Sequence, residues 1–148
     1  MTRILAIVLT ALIPLAALSQ DNSDPEGMAV VQPAGDSELN EFLWNKRLIV
    51  VFADSPQDPR FIEQINLLNE ELDELGKRDV LILTDTDAKA LSPIRTKLRP
   101  RGFSMVLVGK DGGVKLRKPR PWTVREITRA IDKYPDRRRE VEDRRTGS

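Results

Sequence analysis

Two uninterrupted apolar segments alternate with an amphipathic segment in the first half of the chain. Residues 47–53 (RLIVVFA) and 79–83 (DVLIL) have the length of strands and are rich in β-branched residues. Such runs are typical of strands that are buried on both faces of a sheet. Between them, apolar residues recur at helical spacing, after an Asp58–Pro59 pair that can cap and begin a helix and before Gly76. A helix between two buried strands predicts a parallel pair with a right-handed crossover, and therefore an α/β fold.

The second half of the chain predicts an antiparallel hairpin followed by a helix. Residues 103–108 (FSMVLV) form a third apolar run, and residues 110–113 (KDGG) have the composition of a hairpin turn. Residues 114–117 then return as a fourth strand at the sheet edge. Thr123 and Glu126 have the spacing of a capping box at the start of an amphipathic helix. The whole pattern predicts a mixed sheet of about four strands, a parallel pair plus a hairpin, with flanking helices.

The pattern also predicts where the folded domain begins and ends. We expect one domain over residues 37–135. Residues 20–36 are polar and aperiodic, which predicts a flexible leader. Residues 88–98 could hold a short helix, but Pro93 is expected to interrupt it. Residues 136–148 alternate arginine with acidic residues, which predicts either a charged surface helix or a frayed tail.

The first 19 residues have the pattern of a secretory signal peptide. One charge, Arg3, precedes an apolar run over residues 4–17, and Ala17 and Ser19 are small residues at the spacing of a cleavage site. The run is shorter than a membrane span requires, although a retained anchor is the alternative. We therefore expect a periplasmic or secreted protein with no stable membrane insertion after cleavage.

Composition excludes much of the familiar enzyme chemistry. The chain has no cysteine and no histidine, so disulfides, thiolate nucleophiles, Cys/His zinc sites and histidine-based triads are all absent. We expect no cofactor and no metal. Loss of Arg3 with the signal peptide would leave as many basic as acidic residues, 23 of each. Any binding through charge must therefore come from local asymmetry.

Two stretches resemble a known family. Residues 44–53 (WNKRLIVVFA) and 106–117 (VLVGKDGGVKLR) are similar to the bacterial domain-of-unknown-function 4174 family, a likeness that extends from Trp44 to about Arg139. The order of predicted elements also resembles the core of the thioredoxin superfamily. The resemblance implies a thioredoxin-like fold in a small exported protein, related to peroxiredoxin-like domains, and it brings no settled activity.

In thioredoxin-like enzymes the nucleophilic cysteine lies between the first core strand and its helix. Residues 54–58 (DSPQD) occupy that place here. Ser55 has no evident base beside it and is a poor nucleophile. Asp54, Ser55 and Asp58 surround a predicted helix N-terminus, which could hold a ligand. The simpler interpretation, that Asp58 caps and Ser55 turns the chain, is favoured because two aspartates would repel an anion.

A strongly basic segment provides the second candidate site. Residues 89–120 contain ten basic residues and one acidic residue, Asp111. The candidate binding residues in this basic lobe are Arg101, Lys110, Lys115 and Arg117. They could bind an anionic glycan, a lipid headgroup or an acidic envelope protein, or they could merely keep an edge strand from pairing. Nucleic acid is not expected, because aromatic residues are too few for a stacking platform.

The sequence thus favours an exported, non-catalytic, thioredoxin-like binding or interaction module. The alternative is an enzyme that uses Asp, Ser, Lys or Arg at the degenerate active-site loop. The alternative would gain support if Asp54, Ser55, Asp58, Arg101 and Lys110 converged on one closed pocket. For the binding module, charge reversal at Lys110 and Lys115 is expected to weaken capture of an anionic partner and to leave unfolding nearly unchanged.

Overall fold

A computed structural model describes residues 27–147. The strands are β1 (Val31–Pro33), β2 (Arg47–Phe52), β3 (Val80–Asp85), β4 (Ser104–Val108) and β5 (Val114–Lys118). The helices are α1 (Pro59–Glu70), α2 (Leu72–Gly76), α3 (Pro93–Leu98), α4 (Val124–Asp132) and α5 (Pro135–Thr146), with a 3₁₀ turn over Leu39–Phe42.

The five strands form one mixed sheet in the order β1-β3-β2-β4-β5. β1, β3 and β2 are mutually parallel neighbours, β4 is antiparallel to β2, and β5 is antiparallel to β4. This arrangement confirms the predicted thioredoxin-like α/β fold, with its parallel pair and its antiparallel hairpin. The sheet has five strands because a strand also forms in the segment that was predicted to be a leader.

The predicted flexible leader, residues 20–36, is wrong over the part that contains β1. β1 pairs in parallel with β3, and the flanking N–H groups of Ala29 and Ala34 donate to Leu72 O at 2.9 Å and Thr84 O at 2.8 Å. The chain also crosses α2 so closely that a Cβ atom at Gly76 would overlap backbone atoms of Gly27. A three-residue edge strand is too short to produce a periodic pattern. Residues 20–26 and the predicted signal peptide lie outside the described residues.

The long apolar run of β2 follows from its central position. All six residues of β2 are buried. Ile49 and Val51 pack into a core beneath α1, α2 and α4, whereas Leu48, Val50 and Phe52 pack into a core on the opposite face beneath α3 and the 3₁₀ turn. Because successive side chains of a strand point to opposite faces, a strand covered on both faces favours an unbroken apolar run, which here follows the ion-paired Arg47.

Pro93 begins a helix rather than interrupting one. It occupies the first turn of α3, where a missing N–H is tolerated, and Ser92 Oγ caps the helix by accepting from Arg95 N–H at 3.1 Å. The predicted helix between β2 and β3 is divided into α1 and α2 at Glu71, whose ψ of 50° is not helical. The charged segment near the C-terminus forms α5.

Candidate functional site

The loop after β2 uses its polar residues for local structure. Asp58 caps α1, because Oδ1 accepts from Arg60 N–H at 2.9 Å and the carboxylate pairs with the Arg60 guanidinium. These contacts with Arg60 hold the pKa of Asp58 below its usual value. Ser55 Oγ donates to Gln57 Oε1 and accepts from Gln57 N–H. Asp54 has no hydrogen bond or ion pair with the described residues. Ligand binding by this loop stays a prediction.

A buried ion pair that the sequence analysis missed lies directly beneath this loop. Arg95 is 7 % exposed, and its Nη2 donates to Ala53 O, Asp85 O and Asp85 Oδ1 at 2.9–3.1 Å. Ser92 Oγ donates to Asp85 Oδ2 at 2.6 Å. Burial opposes ionisation of Asp85, but hydrogen bonds from Arg95 and Ser92 outweigh it and lower its pKa. The sequence does not predict this ion pair, since no local pattern marks either residue as buried.

The predicted candidates lie at two opposite ends of the sheet. Because β2 and β4 are antiparallel, the loop after β2 and the loop before β4 share one end, and the turn after β4 lies at the other. Asp54, Ser55, Asp58 and Arg101 therefore lie at one end, and Lys110 lies at the other. These five residues do not form a single pocket.

The lysines of the predicted basic lobe are already paired with carboxylates. Lys110 Nζ lies 2.8 Å from both Asp79 Oδ2 and Glu140 Oε1. Lys115 Nζ lies 2.9 Å from Asp111 Oδ2. Much of their charge is therefore balanced within the molecule. The four candidates Arg101, Lys110, Lys115 and Arg117 therefore do not form one continuous basic face.

Arg101 and Arg117 do come together, in a groove of about 420 Å³ between the loop before β4 and the end of β5. Arg99 and Lys118 also line it, and we call the groove with these four residues the cationic groove. No Asp or Glu lines it, and none of its four cations forms an ion pair with the described residues. Lys118 Nζ lies 4.3 Å from the centroid of the Trp122 ring, and this cation–π contact holds the Lys118 side chain in place.

At the other end of the sheet, Arg47 is the centre of an ion-pair cluster that we call the Arg47 hub, formed with Lys110, Asp136 and Glu140. Arg47 is fully buried, and its Nη2 lies 2.6 Å from Asp136 Oδ2 and 3.0 Å from Glu140 Oε1. Burial opposes ionisation of Glu140, but hydrogen bonds from Arg47 and Lys110 lower its pKa to about 2. The hub attaches α5 to the sheet and has no free charge to offer a ligand.

A larger cavity, about 520 Å³, lies between the 3₁₀ turn, α3 and the hairpin turn. Its charged lining residues are Glu38, Lys97 and Asp111, so it carries charges of both signs with an excess of acidic groups. We therefore assign the candidate site to the cationic groove, whose charged residues are all basic, and not to the larger cavity.

No helix within residues 27–147 is long and apolar enough to cross a membrane. The same residues contain no group of three or more acidic side chains arranged to hold a metal ion.

Residues 38–140, which span most of the described chain, match the family described as Domain of unknown function (DUF4174). The chain belongs to the DUF4174 family. The match runs from the residue before the 3₁₀ turn to Glu140, and so includes both the cationic groove and the Arg47 hub.

This DUF4174 chain is similar in sequence to a much longer protein and similar in fold to a peroxiredoxin of known structure. Coiled-coil domain-containing protein 80 of Danio rerio is 31 % identical over 133 residues, covering 70 % of this chain but only 15 % of that protein. The reduced 2-Cys peroxiredoxin of Plasmodium vivax superposes with a TM-score of 0.50 at 19 % identity, covering 64 % of this chain and 80 % of the peroxiredoxin. The structural likeness shows the fold alone, and this chain has no cysteine for thiol chemistry.

Proposed function

We propose that this DUF4174 chain is an exported, non-catalytic binding module whose cationic groove holds an anionic partner. One observation carries the proposal: Arg99, Arg101, Arg117 and Lys118 line one groove without a carboxylate, whereas Lys110 and Lys115 are paired elsewhere. A partner that binds this groove breaks no existing ion pair.

The chemistry of the groove fits phosphate, sulfate or carboxylate oxygens. Guanidinium groups present planar pairs of N–H donors that match such groups in two-point contacts. Arg101 and Arg117 lie on different segments, so a partner with two anionic groups can contact both. Because the groove is open, its attraction is expected to weaken as salt increases.

The enzyme alternative has little support in the geometry. Ser55 donates its hydroxyl hydrogen to the side-chain amide oxygen of Gln57, which is not basic enough to accept the proton. Lys110 is at the opposite end of the sheet from Asp54, and it is held by two carboxylates. These residues are therefore not arranged for joint catalysis.

Binding to three probes tests the proposal: an immobilised acidic polysaccharide, vesicles that contain an anionic phospholipid, and polyglutamate. The double variant R101E/R117E is expected to lose binding to the preferred probe at low salt. The matched control is R138E/R139E, which makes the same charge change on exposed residues of α5. The three probes separate a glycan, a lipid and a protein as the source of the anionic groups. Equal losses in the two double variants would mean that net charge alone drives binding and would overturn the proposal.

A further inference from the structure

A second cavity, of about 400 Å³, adjoins the cationic groove on the other side of Arg99 and Pro100. Asp54 and Arg95 also line it. It lies at the carboxyl ends of the parallel strands β2 and β3, and open α/β sheets usually bind ligands at this edge. Some of the charged side chains on its walls take no part in the hydrogen bonds and ion pairs of the described residues.

The guanidinium group of Arg95 is held in place in this cavity, but only some of its N–H groups donate hydrogen bonds. Its Nη2 is held by three oxygens, one of which is the carbonyl of Ala53, immediately before Asp54. Its Nη1 donates to none of the described residues and is not sealed from solvent. Arg99 lies one helical turn further along, where its N–H donates to Arg95 O at 2.8 Å. Arg95 in α3 and Arg99, the residue that ends this helix, thus line the same cavity.

An exposed carboxylate, that of Asp54, lies in the same cavity and interacts with Arg60 only through longer-range attraction. Asp54 is exposed and has no hydrogen bond or ion pair with the described residues, and Arg99 has none through its side chain. A simple anion would be repelled by Asp54, and a simple cation would be repelled by Arg99. A ligand that carries both charges can place its negative group beside Arg99 and its positive group beside Asp54, so neither residue repels it. The remaining lining includes apolar atoms of Leu91 and Pro100.

We propose that this cavity binds a small zwitterion of the amino-acid class. The ligand carboxylate receives hydrogen bonds from Arg95 Nη1 and from Arg99, and its ammonium group pairs with Asp54. An apolar side chain lies against Leu91 and Pro100. The site shares Arg99 and Pro100 with the cationic groove, from which it differs by the carboxylate of Asp54.

Titration of the purified protein with three leucine compounds, followed by backbone amide NMR spectra, tests this proposal. L-Leucine at millimolar concentration is expected to shift signals in residues 54 and 88–100 and to reach saturation. N-acetyl-leucine lacks the ammonium group and leucinamide lacks the carboxylate, so each is expected to bind about tenfold more weakly, because one charged hydrogen bond is lost. Equal binding of N-acetyl-leucine, or no shift with L-leucine, would overturn the zwitterion site.

Variants separate this site from the cationic groove. Asp54→Asn is expected to weaken L-leucine binding about tenfold, while the exposed carboxylate variant Asp36→Asn has no effect. Arg117→Gln, which lines only the cationic groove, is expected to leave L-leucine binding unchanged and to weaken binding of the anionic probes. Unchanged L-leucine affinity in Asp54→Asn would contradict this inference without affecting the proposed function.

Discussion

Single charged residues have different roles at the two ends of the sheet. In the Arg47 hub every charge has an opposite partner, and Glu140 accepts from both Arg47 and Lys110. At the other end, Arg101 and Arg117 have no carboxylate within ion-pair distance in the described chain. A charge that is already satisfied contributes to folding, whereas an unsatisfied charge remains available for a partner.

Glu140 makes stability depend on pH in the acidic range. Its pKa is about 2 in the folded protein against 4.5 for the free side chain. Because the folded pKa is depressed, its contribution is complete above pH 4.5 and is lost as pH falls towards 2. At neutral pH, Glu140→Gln is expected to lower the free energy of unfolding by about 2 kcal/mol.

The measurement is chemical denaturation of wild type and Glu140→Gln at a series of pH values. The difference between the two proteins should shrink as pH falls through the acidic range, because protonated glutamic acid resembles glutamine in charge. Glu142→Gln, an exposed residue on the same helix whose partner is Arg145, provides the control. A difference that stays constant with pH would show that Glu140 does not ionise with the depressed pKa.

Lys110 and Lys115 were equivalent candidates in sequence, but the structure separates them. Lys110→Glu places a third carboxylate beside Asp79 and Glu140, and is expected to destabilise the fold by about 2 kcal/mol. Lys115→Glu breaks only a surface pair with Asp111 and is expected to change stability by about 0.5 kcal/mol or less. Thermal unfolding of the two single variants measures the difference. If neither variant lost stability relative to wild type, the assigned role of Lys110 would be contradicted. The expectation from sequence, that both reversals leave unfolding nearly unchanged, would then hold.

For helices, strands and turns, the sequence predicted features that depend on neighbouring residues but not the pairing of distant segments. Thr123 and Glu126 form the predicted capping box, with Thr123 N–H donating to Glu126 Oε2 at 2.8 Å. Residues 110–113 form the predicted hairpin turn between β4 and β5. Such features depend on neighbours within a few residues. β1 is stabilised instead by β3, about fifty residues later in the chain, so its own three residues carry little signal.

The contribution of β1 can be measured by two truncations. A chain beginning at Gly27 keeps β1, whereas a chain beginning at Ser37, the domain start expected from sequence, exposes the edge of β3. Loss of the buried Ala29 and Ala34 and of the β1 ladder is expected to cost about 3 kcal/mol. Chemical denaturation of both chains, with the untruncated protein as control, provides the test. Equal stability of the two truncated chains would show that β1 adds little to the domain.

At the scale of the whole molecule, the sheet separates two charge environments. The end near α5 is neutralised by the Arg47 hub, and the end near α3 carries the cationic groove and the adjoining cavity. A count of charges along the sequence identifies the basic segment but could not predict this division. The partners of Lys110 are 31 and 30 residues away in the chain, so only the fold brings them together. Arg101 and Arg117 were named from sequence as members of the basic segment, and the fold places both in a groove that no Asp or Glu lines.

Export is the prediction that concerns the whole chain, and it depends on residues 1–19. The apolar run after Arg3, with Ala17 and Ser19 at cleavage spacing, leads us to expect a mature chain that starts at or near Gln20. Such a chain retains all the elements described for residues 27–147, including β1, so processing should leave the fold complete.

Intact-mass measurement of the protein recovered from cell fractions determines the mature start. The expected result is a mass corresponding to loss of residues 1–19, found in the periplasmic or secreted fraction. A control variant with Ile7→Arg and Leu9→Arg interrupts the apolar run and is expected to keep Met1 and to remain unexported, because a charged segment is a poor signal. A membrane-bound wild-type protein that still begins at Met1 would instead establish the retained anchor, and the binding groove would then act at a membrane surface.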